Sequence, residues 1–393
     1  MRRLLVAPVV LLVLAISPFG AARSAPPSLQ SIGRLSGHTG SAAYGVSADG
    51  SVVTGNSFDA DDYRHAVRWD TTSGLTALPE PIGKNLVAEW LSRDGTTIVG
   101  ESRTYNVSGA LTASEGFRWT QAEGVVPLGD FSGGSLSSES GAFACTPDGS
   151  LVVGYGSDAA GYEAVRWDAD TISRVGPGDL AGGDVDATAY DVSADGSVIV
   201  GDASTAQGTE GFRWTAGGGM VGLGDLPGGA VYSSVDGVSG DGSVIVGWSE
   251  DAGGNQAVRW VNGGPPEGLG DLPGGDEDGY AYDVTPDGSV IVGESHTDLG
   301  YEAFIWDATH GMRRLLDVLA AAGVDVTDWR LYTANAISSD GRTIVGWANT
   351  PSGFDEGFVA TLPEPEAGSA VLAVAALASL AALARRRRAE PGS

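Results

Sequence analysis

The chain of 393 residues is poor in cysteine, histidine and basic side chains. Cys145 is the only cysteine, so no disulfide can form within the chain. It stands where sister repeats carry Val, Leu or Ile, which marks it as a small core residue. The four histidines, His38, His65, His296 and His310, form no HxH or HExxH spacing, so no metal site is assigned. Lys84 is the only lysine, which excludes lysine-rich anion capture. Lysine and arginine total 22 against 50 acids, a formal net charge of −28. Such a surface repels nucleic acid and anionic lipid, so a nucleic-acid partner is excluded. There is no GxSxG elbow and no phosphate-binding glycine loop opening a helix. No catalytic residue and no cofactor is indicated.

What the chain does have is one phrase written seven times. A hydroxyl residue, a spacer, Asp-Gly and an apolar run ending in Gly recur around Asp49, Asp94, Asp148, Asp195, Asp241, Asp287 and Asp340. The intervals are 45, 54, 47, 46, 46 and 53 residues. Two residues before each Asp stands Ser47, Ser92, Thr146, Ser193, Ser239, Thr285 or Ser338. Asp-Gly between apolar runs signals a hairpin, because Gly accepts the positive φ of a tight turn. The hydroxyl can bond turn backbone. These aspartates therefore read as turn formers, not catalytic acids. The run Val198-Ile199-Val200 does not alternate with polar residues, which predicts burial on both faces.

A third strand ends at Trp69, Trp119, Trp167, Trp214, Trp260 or Trp306, with Val359 in the last copy. A Gly-rich turn then leads to a fourth strand such as MVGLGD. Each unit of about 46 residues is therefore a four-stranded antiparallel meander, the period of a propeller blade. The last unit lacks its fourth strand, and residues 30–37 resemble the missing phrase. The expected fold class is all-β, a seven-bladed β-propeller closed by the N-terminal strand, with an additional C-terminal transmembrane helix. An open β-solenoid is the alternative.

Three segments follow one another. Residues 1–22 read as a signal peptide: Arg2-Arg3, an apolar run, then small residues before a cleavage site after Ala22. Residues 29–362 are the repeat array. Within it, 105–114 and 131–141 are insertions, the second Gly- and Ser-rich. The insertion 312–329 spaces Leu315, Leu316 and Leu319 as a helix that Gly323 would stop. Residues 363–388 hold Pro363-Glu364-Pro365, an uncharged apolar run over 368–384, then Arg385, Arg386, Arg387 and Arg388. Seventeen such residues just span a bilayer, and the arginines belong on its cytoplasmic side.

That tail resembles the PEP-CTERM sorting signal of Gram-negative bacteria. The resemblance implies an exosortase-type processing peptidase as partner and a species that makes exopolysaccharide. The array resembles the bacterial extracellular HAF repeats, through EAFIW ending at Trp306 and HAVRW ending at Trp69, each after its Asp-Gly block. That resemblance implies a surface location and no particular activity. The expected location is the outer surface or the extracellular space, with a single-pass C-terminal membrane anchor, transient or permanent.

Arg68, Arg118, Arg166, Arg213 and Arg259 precede third-strand tryptophans. They read as structural partners of nearby acids such as Asp225 or Asp271. The acidic clusters Asp59, Asp61 and Asp62, Asp184 and Asp186, and Asp276, Glu277 and Asp278 lack the ligand spacing of calcium loops. Weak calcium binding is the one metal interaction they leave open. The expected function is a non-catalytic surface protein that binds or organises extracellular polymer, an exopolysaccharide or biofilm matrix. A glycan hydrolase or lyase is one alternative. It would need non-repeated carboxylates in a cleft, most plausibly near units 2, 3 and 6. A protein-interaction scaffold is the other.

Overall fold

The computed structural model describes residues 25–129, 139–158, 160–168, 171–175 and 180–364. The expected signal peptide, residue Pro365, the apolar run and Arg385 to Arg388 lie outside the described residues. No helix among the described residues is long and apolar enough to cross a membrane.

The described residues form seven antiparallel four-stranded units, of which the third and fourth are joined by one parallel bridge, Tyr162 opposite Asp186. Their inner strands, blade 1 to blade 7, are Gly40–Val46, Asn85–Leu91, Ser140–Cys145, Gly182–Val192, Gly228–Val238, Gly279–Val284 and Arg330–Ile337. Each inner strand contacts those of the blades before and after it, and the inner strand of blade 7 contacts that of blade 1. The repeat therefore builds a β-propeller. Six blades are simple meanders. In the seventh, Ser28–Gly33 pairs with Asp355–Thr361, with Ser28 opposite Thr361. The N-terminal strand thus completes the last blade, as the sequence leads one to expect. Ring closure is repeated at the turns, where Ser339 N–H donates to the Ala48 carbonyl at 3.1 Å.

Each Asp-Gly turn has the same wiring. The hydroxyl donates to the Asp carboxylate at 2.6–2.9 Å in all seven copies. The same carboxylate accepts the amide two residues further on, at 2.9–3.1 Å. The hydroxyl oxygen accepts the amide that opens the second strand, at 2.8–3.1 Å. The turn glycines have φ between 69° and 75°, a left-handed conformation costly for other residues. Every one of the seven aspartates is thereby a turn former.

The blades pack through apolar layers. Trp167 and Trp260 are fully buried, Trp69, Trp119 and Trp306 nearly so, and Trp214 is half-buried. Val198, Ile199 and Val200 are buried, as their unbroken apolar run requires. Cys145 is buried among Val99, Val152 and Val165, and burial pushes its thiol pKa up.

The insertion at 105–114 falls between the second and third strands of blade 2, where the sequence places it. It lengthens them to Thr97–Tyr105 and Leu111–Thr120 around a turn at Asn106. Other local expectations need correction. Ser140 and Gly141 belong to an inner strand, not to the preceding connection, whose residues 131–138 lie outside the described ones. The helix in the last insertion is short, Leu315–Ala321, with Leu315 and Leu319 buried and Gly323 at φ 83° just beyond it. The third-strand arginines do choose structural partners, but not Asp225 or Asp271. Arg68 bonds Asp70, Arg118 bonds Glu123 and Arg259 bonds Glu267. Arg166 and Arg259 lie over Trp214 and Trp306, each a tryptophan of the following blade, at 5.5 and 4.6 Å from the ring centroid. Asp271 instead accepts from Ser295.

Candidate ligand funnel

A second glycine of the repeat decides what reaches the axis. Six residues after each turn Asp stands Gly55, Gly100, Gly154, Gly201, Gly247, Gly293 or Gly346. A Cβ there would lie only 1.9–2.0 Å from a carbonyl oxygen of the inner strand. The inner strand bulges at this height in every blade, between Ala43 and Gly45 in blade 1 and at the equivalent place in the others. A bulge leaves one residue unpaired and re-aims its side chain. The unpaired residues are Tyr44, Glu89, Phe143, Tyr190, Asp236, Tyr282 and Asn335.

All seven line one cavity of about 330 Å³, together with Trp90 and Asp191. Only the propeller axis lies within reach of one residue from every blade. No Lys, Arg or His is among these lining residues. Trp90 and Asp191 also line a second cavity of about 280 Å³ with Arg93, Pro147, Ala194 and Ser339, near the Asp-Gly turns. Two cavities therefore lie along the axis, with Trp90 and Asp191 in the lining of both.

The chamber is unusual in its acids. Burial pushes Glu89 up to about 7, helped by the neighbouring Glu101 and opposed by Arg64 and Arg103. Burial likewise lifts Asp191 to about 7, although its carboxylate accepts the amides of Val192 at 2.7 Å and Val238 at 2.8 Å. The second amide belongs to the next blade, so Asp191 also ties blades 4 and 5 together. Asp236 is raised well above the ordinary carboxylate range by burial, then by Asp202 and Glu294. Its Oδ2 is buried without a hydrogen-bond partner.

A second tier stands beside the first, on the residue after each of those glycines: Asn56, Glu101, Tyr155, Asp202, Trp248, Glu294 and Trp347. It braces the ring. Tyr282 donates to Glu294 at 2.9 Å, Ser234 to Asp202 at 2.8 Å, and Asn56 exchanges two bonds with the Ala88 backbone, each at 2.8 Å. Phe143 lies 5.6 Å from Tyr155 and 5.5 Å from Tyr190, ring to ring. Trp248 lies 5.4 Å from Tyr280. Chemically, the funnel offers flat aromatic faces and hydrogen-bond acceptors, a mixture suited to an amphipathic or cationic ligand.

Elsewhere, the acidic clusters serve local structure. Asp59 accepts the amides of Asp61 and Tyr63 and contacts His65 at 3.2 Å. Asp278 accepts from Asn255 and Tyr301. Among the described residues no group of three His, Cys, Asp or Glu is placed to hold a metal ion. Of the residues expected to form a sorting motif, Pro363 and Glu364 are exposed, and Glu364 lies 4.0 Å from Arg342. Sequence reasoning missed the funnel residues, and the carboxylates that do converge come from blades 2, 4 and 5 rather than from units 2, 3 and 6. The available signal was a column: three residues before each hydroxyl, the copies stop agreeing.

No protein-family model matches the sequence, and no curated protein matches it. Solved structures do resemble the fold. A puromycin-hydrolyzing peptidase of Mycobacterium tuberculosis aligns with a TM-score of 0.52 at 16% identity, over 87% of this chain and 57% of that one. A puromycin hydrolase gives 0.52 at 15% identity, over 85% and 54%. TolB from Acinetobacter baumannii gives 0.43 at 15% identity, over 69% and 62%. This chain thus spans little more than half the length of the two hydrolases. At such identities the likeness speaks for the propeller fold alone.

Proposed function

We propose that the protein is an exported, seven-bladed binding propeller whose axial funnel takes a saccharide segment of an extracellular polymer. The observation that carries this is the bulged ring. The repeat preserves its turns, glycines and core, yet at the one position turned into the channel it holds three Tyr, a Phe, a Glu, an Asp and an Asn. Aromatic faces stack on sugar rings, while carboxylates, amide and phenols bond hydroxyls. Residues 1–22 direct export in this reading. The tail from Pro363 to Arg388 anchors the chain in the membrane and presents it to an exosortase-type peptidase.

The test is titration of the purified chain with neutral and charged oligosaccharides by calorimetry. Tyr44→Ala and Phe143→Ala should each weaken binding about tenfold, the scale of one lost stacking contact, with the melting temperature kept within a few degrees. Binding that survives both changes would place the ligand elsewhere. For the tail, replacing Pro363, Glu364 and Pro365 by alanine should leave the apolar segment uncleaved in fractionated cells.

One observation favours a second reading, a glycan hydrolase. Glu89, Asp191 and Asp236 share a chamber, and Glu89 and Asp191 are held near 7, suited to proton donation. Release of reducing ends from a polymer, stopped by Glu89→Gln, would establish it.

A further inference from the structure

We propose that the part of the funnel around Asp236 takes a protonated primary amine, so that the ligand is an amino-bearing saccharide rather than a neutral one. This rests on the binding reading given above and narrows it to a ligand class. Asp236 stands in the ring between Tyr190 and Tyr282, which come from the blades on either side. Both phenols feel its charge. Its Oδ2 is buried and has no partner. The charged groups that face it from the neighbouring blades are Asp202 and Glu294, both acids. The fold therefore builds a carboxylate into an aromatic chamber and supplies no cation to meet it.

An isolated buried carboxylate is costly unless it is paired or neutralised. A sugar hydroxyl would satisfy Oδ2 as a donor but give no counter-charge to the ionised carboxylate. An ammonium meets both needs, and the rings of Tyr190 and Tyr282 add cation–π attraction. A hard metal ion is a poor fit, since calcium takes six to eight oxygen ligands and Asp236 is flanked by aromatic rings. A quaternary ammonium lacks the N–H that Oδ2 would accept, which leaves an amine with hydrogens.

The binding step carries a proton balance. Burial, Asp202 and Glu294 all raise the affinity of Asp236 for a proton in the empty funnel. Entry of an ammonium favours the ionised carboxylate and lowers that affinity, so binding releases protons to solvent. Affinity should therefore rise with pH as Asp236, Asp202 and Glu294 titrate, up to the point where the ligand amine itself loses its proton, with the phenols of Tyr190 and Tyr282 remaining neutral.

The experiment is calorimetry on the full chain with a glucosamine tetramer, its N-acetylated counterpart, a neutral glucan tetramer and 1,5-diaminopentane. The glucosamine tetramer should bind at least tenfold more tightly than the acetylated one, with proton release seen as a buffer-dependent enthalpy. Asp236→Asn should abolish both the preference and the release. It removes a buried acid, so the fold should hold. Tyr282→Phe is the second variant, and it should keep the amine preference because the π face remains. Equal affinity for the acetylated and free tetramers, or a preference unchanged by Asp236→Asn, would overturn the amine inference. If the glucan bound as well as the glucosamine tetramer and Tyr44→Ala weakened it, the amine inference would fail and saccharide binding would stand. If 1,5-diaminopentane bound as tightly as the glucosamine tetramer through Asp236, the amine site would stand and the saccharide reading would fall. No binding of any amine would end the inference.

Discussion

Arg93 of blade 2 reaches Asp283 of blade 6 at 3.3 Å, so one ion pair spans the axis of the ring. The same guanidinium donates to the Ile337 carbonyl of blade 7 and lies 5.9 Å from the Trp90 ring. Asp283 is almost fully buried and also accepts the amides of Val284 and Ile337, each at 2.8 Å. Asp191 uses the same pair of backbone donors two blades earlier and also feels the Arg93 charge. Arg93 thus closes the chamber at the turn end and balances a carboxylate committed to holding blades 6 and 7 together.

Arg93→Met keeps an apolar stem near Trp90 and removes the charge. Breaking one side of a buried pair costs about 3 kcal/mol, and urea unfolding at pH 8 should show a loss of that order. Burial already raises the Asp283 pKa, so the stranded acid takes up a proton as pH falls. The loss should shrink by pH 5. An equal loss at both pH values would mean that Arg93 acts by packing alone.

Gly201→Ala should be among the most damaging single-methyl changes in blade 4. The new Cβ would sit 1.9 Å from the Thr188 carbonyl oxygen, opposite the bulge that carries Tyr190. Overpacking of this kind costs about 1–3 kcal/mol or more. Gly217→Ala is the control, since nothing lies within 4 Å of its added methyl. The expected result is a marked fall in denaturant midpoint for Gly201→Ala and almost none for Gly217→Ala. Gly201→Ala should also weaken any funnel ligand, because flattening the bulge withdraws Tyr190.

Stability should peak in mildly acidic solution. Glu89, Asp191, Asp202 and Glu294 are each lifted to about 7 by burial. Unfolded carboxylates titrate near 4, roughly. Between these values the folded state binds more protons, so stability falls as pH rises from about 4 to about 7. The turn acids Asp49, Asp148, Asp195 and Asp241 act in the opposite sense. Their hydrogen bonds from the Ser two residues further on hold them low, so their contribution is lost only as pH drops below about 4. Thermal melts should therefore be highest near pH 4.5–5, and Asp191→Asn should flatten the decline towards pH 7. A maximum at pH 8 would refute this assignment of buried acids.

The repeat made the architecture legible because its chemistry is local. A hydroxyl, Asp195 and Gly196 define a turn wherever they occur, and repetition multiplies the signal. The closing strand was legible for the same reason, since residues 30–37 copy a phrase missing at the other end. The funnel was not, because it lies where the copies differ. Tyr44 and Asp236 share no property that a search for identity would notice; they share only a backbone irregularity. That irregularity does have a trace, the glycine of VIVG, but its steric meaning appears only against the opposite strand. The arginine partners were misjudged for a related reason. Arg259 takes Glu267, which strand register places directly across from it, whereas Asp271 lies beyond the end of that strand.

Pairing of Ser28–Gly33 with Asp355–Thr361 imposes an order on the life of the chain. The strand Ser28–Gly33 needs the last repeat as its partner, and more than 300 residues separate them. Blades 1 to 6 can each form from contiguous sequence as they emerge, but the ring stays open until synthesis has passed Thr361. Until then the first strand and the flank of blade 1 have no neighbour to cover them. A ribosome stalled before the seventh repeat would release a product with most of its blades and no circle, a natural substrate for proteolysis. Synthesis of the seventh repeat, rather than any single contact, is what lets this molecule become a ring.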